Sequence, residues 1–210
     1  MKKIYFLLIA AFCLINFCFA QNNDPNAKKV LDAVSTKMKT FKGITAAFSI
    51  KSITNKGKDN GNKTGNISIK GQKYLLKQGK SEIISDGTKI YNFDGSKTIT
   101  IASVEESNQT LSPQNLLSNF YDKDFTYKLI SSKGAFNEIE LIPIDKKKNF
   151  QKVNVFIDKN KSMITKAKIL DKSNNVIEFI LTNLNTNATL ADNTFIYDRS
   201  KYPKDAEVLD

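Results

Sequence analysis

Glu138 and Glu140 are the side chains best spaced for chemistry. In FNEIELIPI (136–144) they stand two apart, which on a strand puts both carboxylates on one face, where an acid pair could meet a sugar. The same alternation sends Ile139 and Leu141 to the other face. A solvent-facing acidic row behind a buried apolar row therefore accounts for the pattern without catalysis. Glu105 and Glu106 are adjacent, so on a strand they point to opposite sides. Lys146, Lys147 and Lys148 read as a solvated turn. The chain contains no histidine, and its two cysteines, Cys13 and Cys18, fall near the N-terminus. The Ser-His-acid and Cys-His machines are excluded, and so is a zinc site built from histidine and cysteine. DGTK (86–89) and DGSK (94–97) are hairpin turns rather than phosphate cradles. No catalytic residue, no metal and no cofactor is expected.

What positions residues with so little chemistry begins with a leader. MKKIYFLLIAAFCLINFCFA has Lys2 and Lys3, an apolar run from Ile4 to Phe19, and Ala20 before Gln21. That order is a secretory signal peptide, residues 1–20, cleaved after Ala20. A retained helical anchor is the rival reading. A lipidation signal fits less well, because Phe12 and Phe17 precede the cysteines where a small residue is wanted. Residues 21–210 then form one exported domain without cysteine, long enough to hold itself with its own core. Lysines and arginines number 32 against 21 acids, a formal charge of +11, and two of those charges leave with the leader. Arg199 is the single arginine. Lysines scattered over strands and turns lack the bidentate forks of a nucleic-acid reader, so no nucleic-acid partner is expected. A weak attraction to anionic headgroups remains open.

Ala27, Leu31, Val34, Met38 and Phe41 recur at helical spacing. Asp24 or Asn26 can cap that helix, Pro25 suits its first turn, and Gly43 can stop it. Strands follow. Ala46, Phe48 and Ile50 alternate over 44–54, while KGKDNGNKTG (56–65) reads as a polar turn or a loose hairpin. Ile67 and Ile69, Tyr74 and Leu76, Tyr91 and Phe93, and Ile99 and Ile101 mark the next strands, with Asp86-Gly87 and Asp94-Gly95 as turns. LSPQNLLSNF (111–120) reads as a short helix with Ser112 as cap, Pro113 at its first position, and Leu116, Leu117 and Phe120 on its apolar face. Alternation resumes through Phe125, Tyr127 and Leu129, then Val153, Val155 and Ile157, and then Ile177, Phe179 and Leu181. Phe195 and Tyr197 alternate before a tail. Short turns require antiparallel pairing. About ten or eleven strands and two helices predict one large curved sheet with helices against its apolar side.

Two short helices cannot cover so large a sheet, so the sheet either closes on a packed interior or stays half open over a greasy hollow. Such a hollow suits acyl chains, since each buried methylene is worth about 0.8 kcal/mol and no reactive group is needed. The side chains expected to line it are Phe48, Ile50, Ile67, Ile69, Tyr74 and Leu76 from the first strands. Tyr91, Phe93, Ile99 and Ile101 are expected from the next, and Leu31, Val34, Met38, Leu116 and Phe120 from the helices.

The order of these pieces is informative. VLDAVSTKMKTFKGITAAFSIKS leads to GNISIKGQKYLLK, then to SDGTKIYNFDG, LSPQNLLSNF and the ending NTFIYDRSKYPKDAEVLD. This resembles the periplasmic lipoprotein carrier proteins of the LolA family over essentially the whole mature chain. The resemblance implies a mainly β fold, an incomplete antiparallel barrel with helices as its lid over a hydrophobic cavity. It further implies a periplasmic, non-enzymatic chaperone. Such a chaperone takes acylated lipoproteins from an inner-membrane exporter complex, shields their acyl chains as a monomer, and hands them to an outer-membrane receptor or acceptor. The alternative implied by related proteins is a periplasmic lipid- or peptide-sensing regulator of the same fold. One departure matters: where the family often carries Arg-Pro, this chain has Gly71-Gln72. That arginine is held to tie the lid down, and Lys70 or Lys73 would be its substitute here.

Overall fold

The computed structural model describes residues 23–105 and 121–210. The expected leader, and with it Cys13 and Cys18, lies outside the described residues, as does the expected helix at 111–120 with Leu116 and Phe120. The first described helix, α1, spans Pro25–Lys39. Asp24 is its N-cap, its carboxylate accepting from the Asn26 amide at 2.8 Å, and Pro25 opens the first turn, where a missing N–H costs nothing. The helix stops at Thr40 rather than at Gly43. Ala27, Leu31 and Val34 form its buried stripe, with Met38 and Phe41 half-buried beyond them.

Twelve strands follow in a single sheet: β1 (Ile44–Ile53), β2 (Asp59–Lys70), β3 (Lys73–Gln78), β4 (Ser81–Ser85), β5 (Lys89–Phe93), β6 (Thr98–Ser103), β7 (Phe125–Ser131), β8 (Phe136–Pro143), β9 (Phe150–Asp158), β10 (Met163–Asp171), β11 (Val176–Asn185) and β12 (Glu207–Leu209). Their spatial order is β12-β6-β5-β4-β3-β2-β1-β11-β10-β9-β8-β7. Among the described strands every pairing is antiparallel except β12 on β6. The two ends of this order, β7 and β12, do not pair with each other, so the sheet is an incomplete barrel. The expectation of ten or eleven strands missed β12, whose three residues are too short to show alternation. The polar stretch expected as a turn is mostly strand, since β2 begins at Asp59 and the turn proper is confined to 54–58. Phe195 and Tyr197 do not belong to a strand: Phe195 ends a 3-10 turn, Asp192–Phe195, and a second turn is Arg199–Lys201.

A short helix, α2 (Tyr121–Asp124), leads directly into β7. It is tied to α1 by side chains. The Tyr121 hydroxyl donates to Asp32 at 2.8 Å, and Lys28 bridges Asp32 at 3.0 Å and Asp122 at 3.5 Å. The Lys28 ammonium and the Tyr121 hydroxyl together hold the Asp32 carboxyl below the usual carboxylate range.

The free edge of β7 is covered by the residues just before α1. The Asp24 amide donates to the Tyr127 carbonyl at 3.2 Å. Asn23 accepts from the Tyr127 amide at 3.1 Å, and the second Asp24 oxygen accepts from the Leu129 amide at 3.0 Å. One carboxylate thus caps a helix and occupies an edge that would otherwise offer itself to another strand.

Candidate lipid-binding face

The side chains of α1 define which side of the sheet is inside. Ala27, Leu31 and Val34 share one buried cluster with Ile44, Ala46 and Phe48 of β1, Ile67 and Ile69 of β2, and Tyr74 and Leu76 of β3. The same cluster runs through Tyr127, Ile139, Val155, Ala167 and Phe179 in the other half of the sheet. Register explains the unity. Ala46, Ile67, Leu76 and Ile83 are cross-strand partners in one row, and Ile44, Ile69 and Tyr74 in the next. Toward the other edge, Ile50 meets Phe179, Phe179 meets Ala167, Ala167 meets Val155 and Val155 meets Ile139. Direct partners share a face, so this is one continuous apolar wall across β1–β3 and β7–β11. Burial pushes the Tyr74 hydroxyl up to about 12.

Phe48 is the centre of its half. Its ring stacks on Phe179 at 5.7 Å between centroids, and its cross-strand partner is Gly65. A Cβ at Gly65 would lie 2.4 Å from Phe48 Cζ and 2.2 Å from the Lys77 carbonyl oxygen. The missing side chain is what lets the ring lie down over β2.

The expected set does not share one wall. Phe48, Ile50, Ile67, Ile69, Tyr74 and Leu76 do, together with Leu31, Val34 and Met38 of α1. Tyr91, Phe93, Ile99 and Ile101 are on the opposite face. Leu76 pairs with Ile83 and Ile83 with Asn92, so the residue continuing the inner row on β5 is Asn92. Leu75, Ile84, Tyr91 and Ile101 form an outer row, and Glu82, Phe93 and Ile99 another. Alternation gives which residues share a face within a strand but not which face is which, and across β4–β6 the apolar residues change sides.

That outer apolar patch is covered by the C-terminal segment. Tyr197 stacks on Tyr91 at 4.4 Å and 5°, and Tyr202 meets Phe93 edge-on at 5.1 Å. The Tyr202 hydroxyl donates to Glu82, and burial with this carboxylate pushes its titration upward. Phe195 and Ile99 are fully buried here. Arg199 organises the segment. Its guanidinium donates to the carbonyls of Tyr202, Pro203, Lys204 and Ala206, at 3.4, 2.8, 3.1 and 3.0 Å. Four carbonyls on one planar fork is a task for arginine rather than lysine. Periodicity could not show this; the aromatic spacing of Phe195, Tyr197 and Tyr202 was the available signal.

The Gly71 position cannot carry an arginine latch without strain. It turns β2 into β3 with φ +59°, a left-handed conformation that suits glycine. Lys70 or Lys73 could stand in for that arginine as a donor, though without its bidentate fork. Instead, Lys70 donates to the Leu190 carbonyl at 2.9 Å and pairs with Asp192 at 3.2 Å, and Lys73 lies 3.7 Å from the same carboxylate. They fasten the C-terminal segment.

The acids considered for catalysis stand on the outer face. Glu140 pairs with Lys152 at 2.7 Å and Glu138 accepts from Asn154 at 2.9 Å, both part of a polar ladder between β8 and β9. Among the described residues, no group of three acids stands close enough to hold a metal ion.

A half-closed sheet with a helix packed over a continuous apolar wall defines the architecture. Residues 39–198 match the family described as outer membrane lipoprotein carrier protein LolA, and the chain belongs to that family. It is a periplasmic, non-catalytic carrier that shuttles lipoproteins between membranes. It is 27% identical to an outer-membrane lipoprotein carrier protein of Francisella tularensis subsp. novicida, with 100% of this chain and 98% of that one aligned. Among solved structures it is similar in fold to an uncharacterized conserved protein from Thermus thermophilus, with TM-score 0.56, 11% identity, and 88% and 98% of the two chains covered. A LolA superfamily protein from Nitrosomonas europaea aligns at TM-score 0.47 and 14% identity over 81% of this chain and 97% of that one.

Proposed function

We propose that the wall formed by β1–β3, β7–β11 and α1 is the surface that takes the acyl chains of a lipoprotein. On this reading the chain works as a monomer, receiving cargo from an inner-membrane exporter complex and passing it to an outer-membrane acceptor. The observation that carries this is the single apolar cluster joining α1 to both halves of an unclosed sheet. The walls offer area and no nucleophile, so the gain is transfer of methylenes out of water, about 0.8 kcal/mol each. Phe48, Ile50, Ile67, Ile69, Tyr74 and Leu76 serve this role from the sheet, and Leu31, Val34 and Met38 from the lid. Tyr91, Phe93, Ile99 and Ile101 serve instead to dock the C-terminal segment. The test is release. The mature protein is incubated with membranes that hold the cognate exporter and a labelled lipoprotein. A soluble one-to-one complex is expected, and retention of the lipoprotein on the membrane despite an active exporter would overturn the reading.

A further inference from the structure

We infer that one end of the barrel, formed by the β7–β8 and β9–β10 turns beside α1, is a docking surface for an anionic phospholipid bilayer. The two turns are one unit. Lys159 in the second donates its ammonium to the Ser132 and Gly134 carbonyls of the first at 2.6 and 2.9 Å, and its amide donates to the Ala135 carbonyl at 3.0 Å. Phe136 stands directly after the first turn and is 43% exposed. It borders a groove of about 430 Å³ that continues over Phe156 and Ile180 on the outer face. An aromatic ring left at a turn tip next to further apolar surface is poorly suited to water.

Charge selects the partner. Lys29, Lys133 and Lys161 surround this end and are exposed, and among the described residues none of them has an ion-pair partner. Asp158, in the groove beside Phe136, accepts from the Asn160 and Lys161 amides and keeps its charge, so the lysines outnumber it three to one at this end. Lysines ringed around an exposed ring match an anionic headgroup layer over an apolar interior: the ammonium groups stay at the phosphates while the ring and the lysine stems enter. On the other side of the same turns, a groove of about 440 Å³ runs beneath α1, between Val30 and Ala33 of the helix and Leu129 and Ile157 of the apolar wall, with Lys29 and Lys159 at its mouth. The surface that meets lipid is thus continuous with the wall. In this last respect the inference rests on the carrier reading, because the groove gives a docked acyl chain its way in.

The chain contains no tryptophan, so Phe136→Trp supplies a unique reporter. Vesicles of phosphatidylglycerol with phosphatidylethanolamine should shift its emission to the blue, and vesicles of phosphatidylcholine alone should not. Ile144→Trp, also exposed but at the far end of β8, should show no shift with either. In vesicle sedimentation the unlabelled protein should bind the anionic vesicles and be released by salt. Each charge removed should weaken binding about fivefold, so Lys133→Glu with Lys161→Glu should lower it by more than about tenfold. Lys56→Glu, in the turn at the opposite end of the sheet, should leave it unchanged. Absence of a blue shift, or equal binding by the double variant and the Lys56→Glu control, would overturn the inference. No cargo is present in these vesicles, so failure here leaves lipoprotein release untouched, and failure of release leaves this binding measurable.

Discussion

Tyr197 and Tyr202 lie in one aromatic stack, 5.4 Å apart, yet their hydroxyls have different fates. That of Tyr202 donates to Glu82, while that of Tyr197 is buried with no hydrogen-bond partner among the described residues. An unmade hydrogen bond costs about 1–3 kcal/mol, whereas a made one contributes a net 1 kcal/mol or somewhat more. Tyr197→Phe keeps the ring on Tyr91 and removes the orphan. It is expected to leave stability unchanged or to raise it by up to about 1 kcal/mol. Tyr202→Phe takes one donor from the Glu82 carboxylate, whose other oxygen keeps its ion pair with Lys77 at 2.9 Å, and is expected to cost about 1 kcal/mol. Urea unfolding of the two variants checks the sign, and an equal loss in both would show that the Tyr197 hydroxyl has a partner. Gly65 makes a sharper claim at the same scale. Gly65→Ala puts a methyl group into Phe48 and the Lys77 carbonyl, contacts that backbone cannot yield cheaply. A loss of about 1–3 kcal/mol is expected from such overpacking, and Phe48→Leu in the same chain should recover part of it.

At the scale of elements, α1 is held by two carboxylates with depressed titration. Asp24 is lowered first by the Leu129 amide and then by the Asn26 amide, and Asp32 first by Lys28 and then by Tyr121. A carboxyl whose folded value is below its unfolded value contributes stability that is present above the unfolded value, near 4. That stability is lost as pH falls through the folded value. Acid below about pH 4 should therefore loosen α1 and uncover the β7 edge, while the sheet beneath persists. Melting temperature followed from pH 6 downward should fall, and Asp24→Asn with Asp32→Asn should flatten that fall by lowering the plateau. An unchanged slope in the double variant would mean that other acids govern it. The helix and its cap were legible in the sequence because cap chemistry is local: Asp24, Pro25 and the stripe through Leu31 and Val34 each carry their own signal. The hairpins at Asp86-Gly87 and Asp94-Gly95 were legible for the same reason. The second role of Asp24 was not, because its partner Leu129 is more than a hundred residues away and nothing local marks an edge strand. The inside of β5 and β6 was illegible on similar grounds. A period of two fixes relative faces within a strand, but the absolute face depends on what covers each side, and there the cover is the C-terminal segment.

For the whole molecule, the change of faces across β4–β6 gives the sheet two apolar surfaces, and on the proposed reading their variants should separate. The wall facing α1 is the one proposed for cargo, and the outer patch is filled by Tyr197, Tyr202 and Phe195. Ile50 is a half-buried member of the wall, paired with Phe179 on one side and with Lys63 on the other, so a polar group there can reach water in the empty protein. Ile50→Glu should fold, because its carboxylate can approach Lys63, but it should take up lipoprotein poorly: an acyl chain laid along the wall would have to bury that charge or leave several methylenes in water. Phe93→Ala should do the reverse. It removes the edge contact to Tyr202 and should cost about 2–4 kcal/mol of stability, with the C-terminal segment cut by protease sooner, while uptake per folded molecule stays as in the parent. The lipoprotein-release assay, normalised to folded protein by near-ultraviolet circular dichroism, distinguishes the two. Loss of uptake in Phe93→Ala at full folding would place the cargo on the outer face instead, and full uptake in Ile50→Glu would remove β1 from the cargo wall.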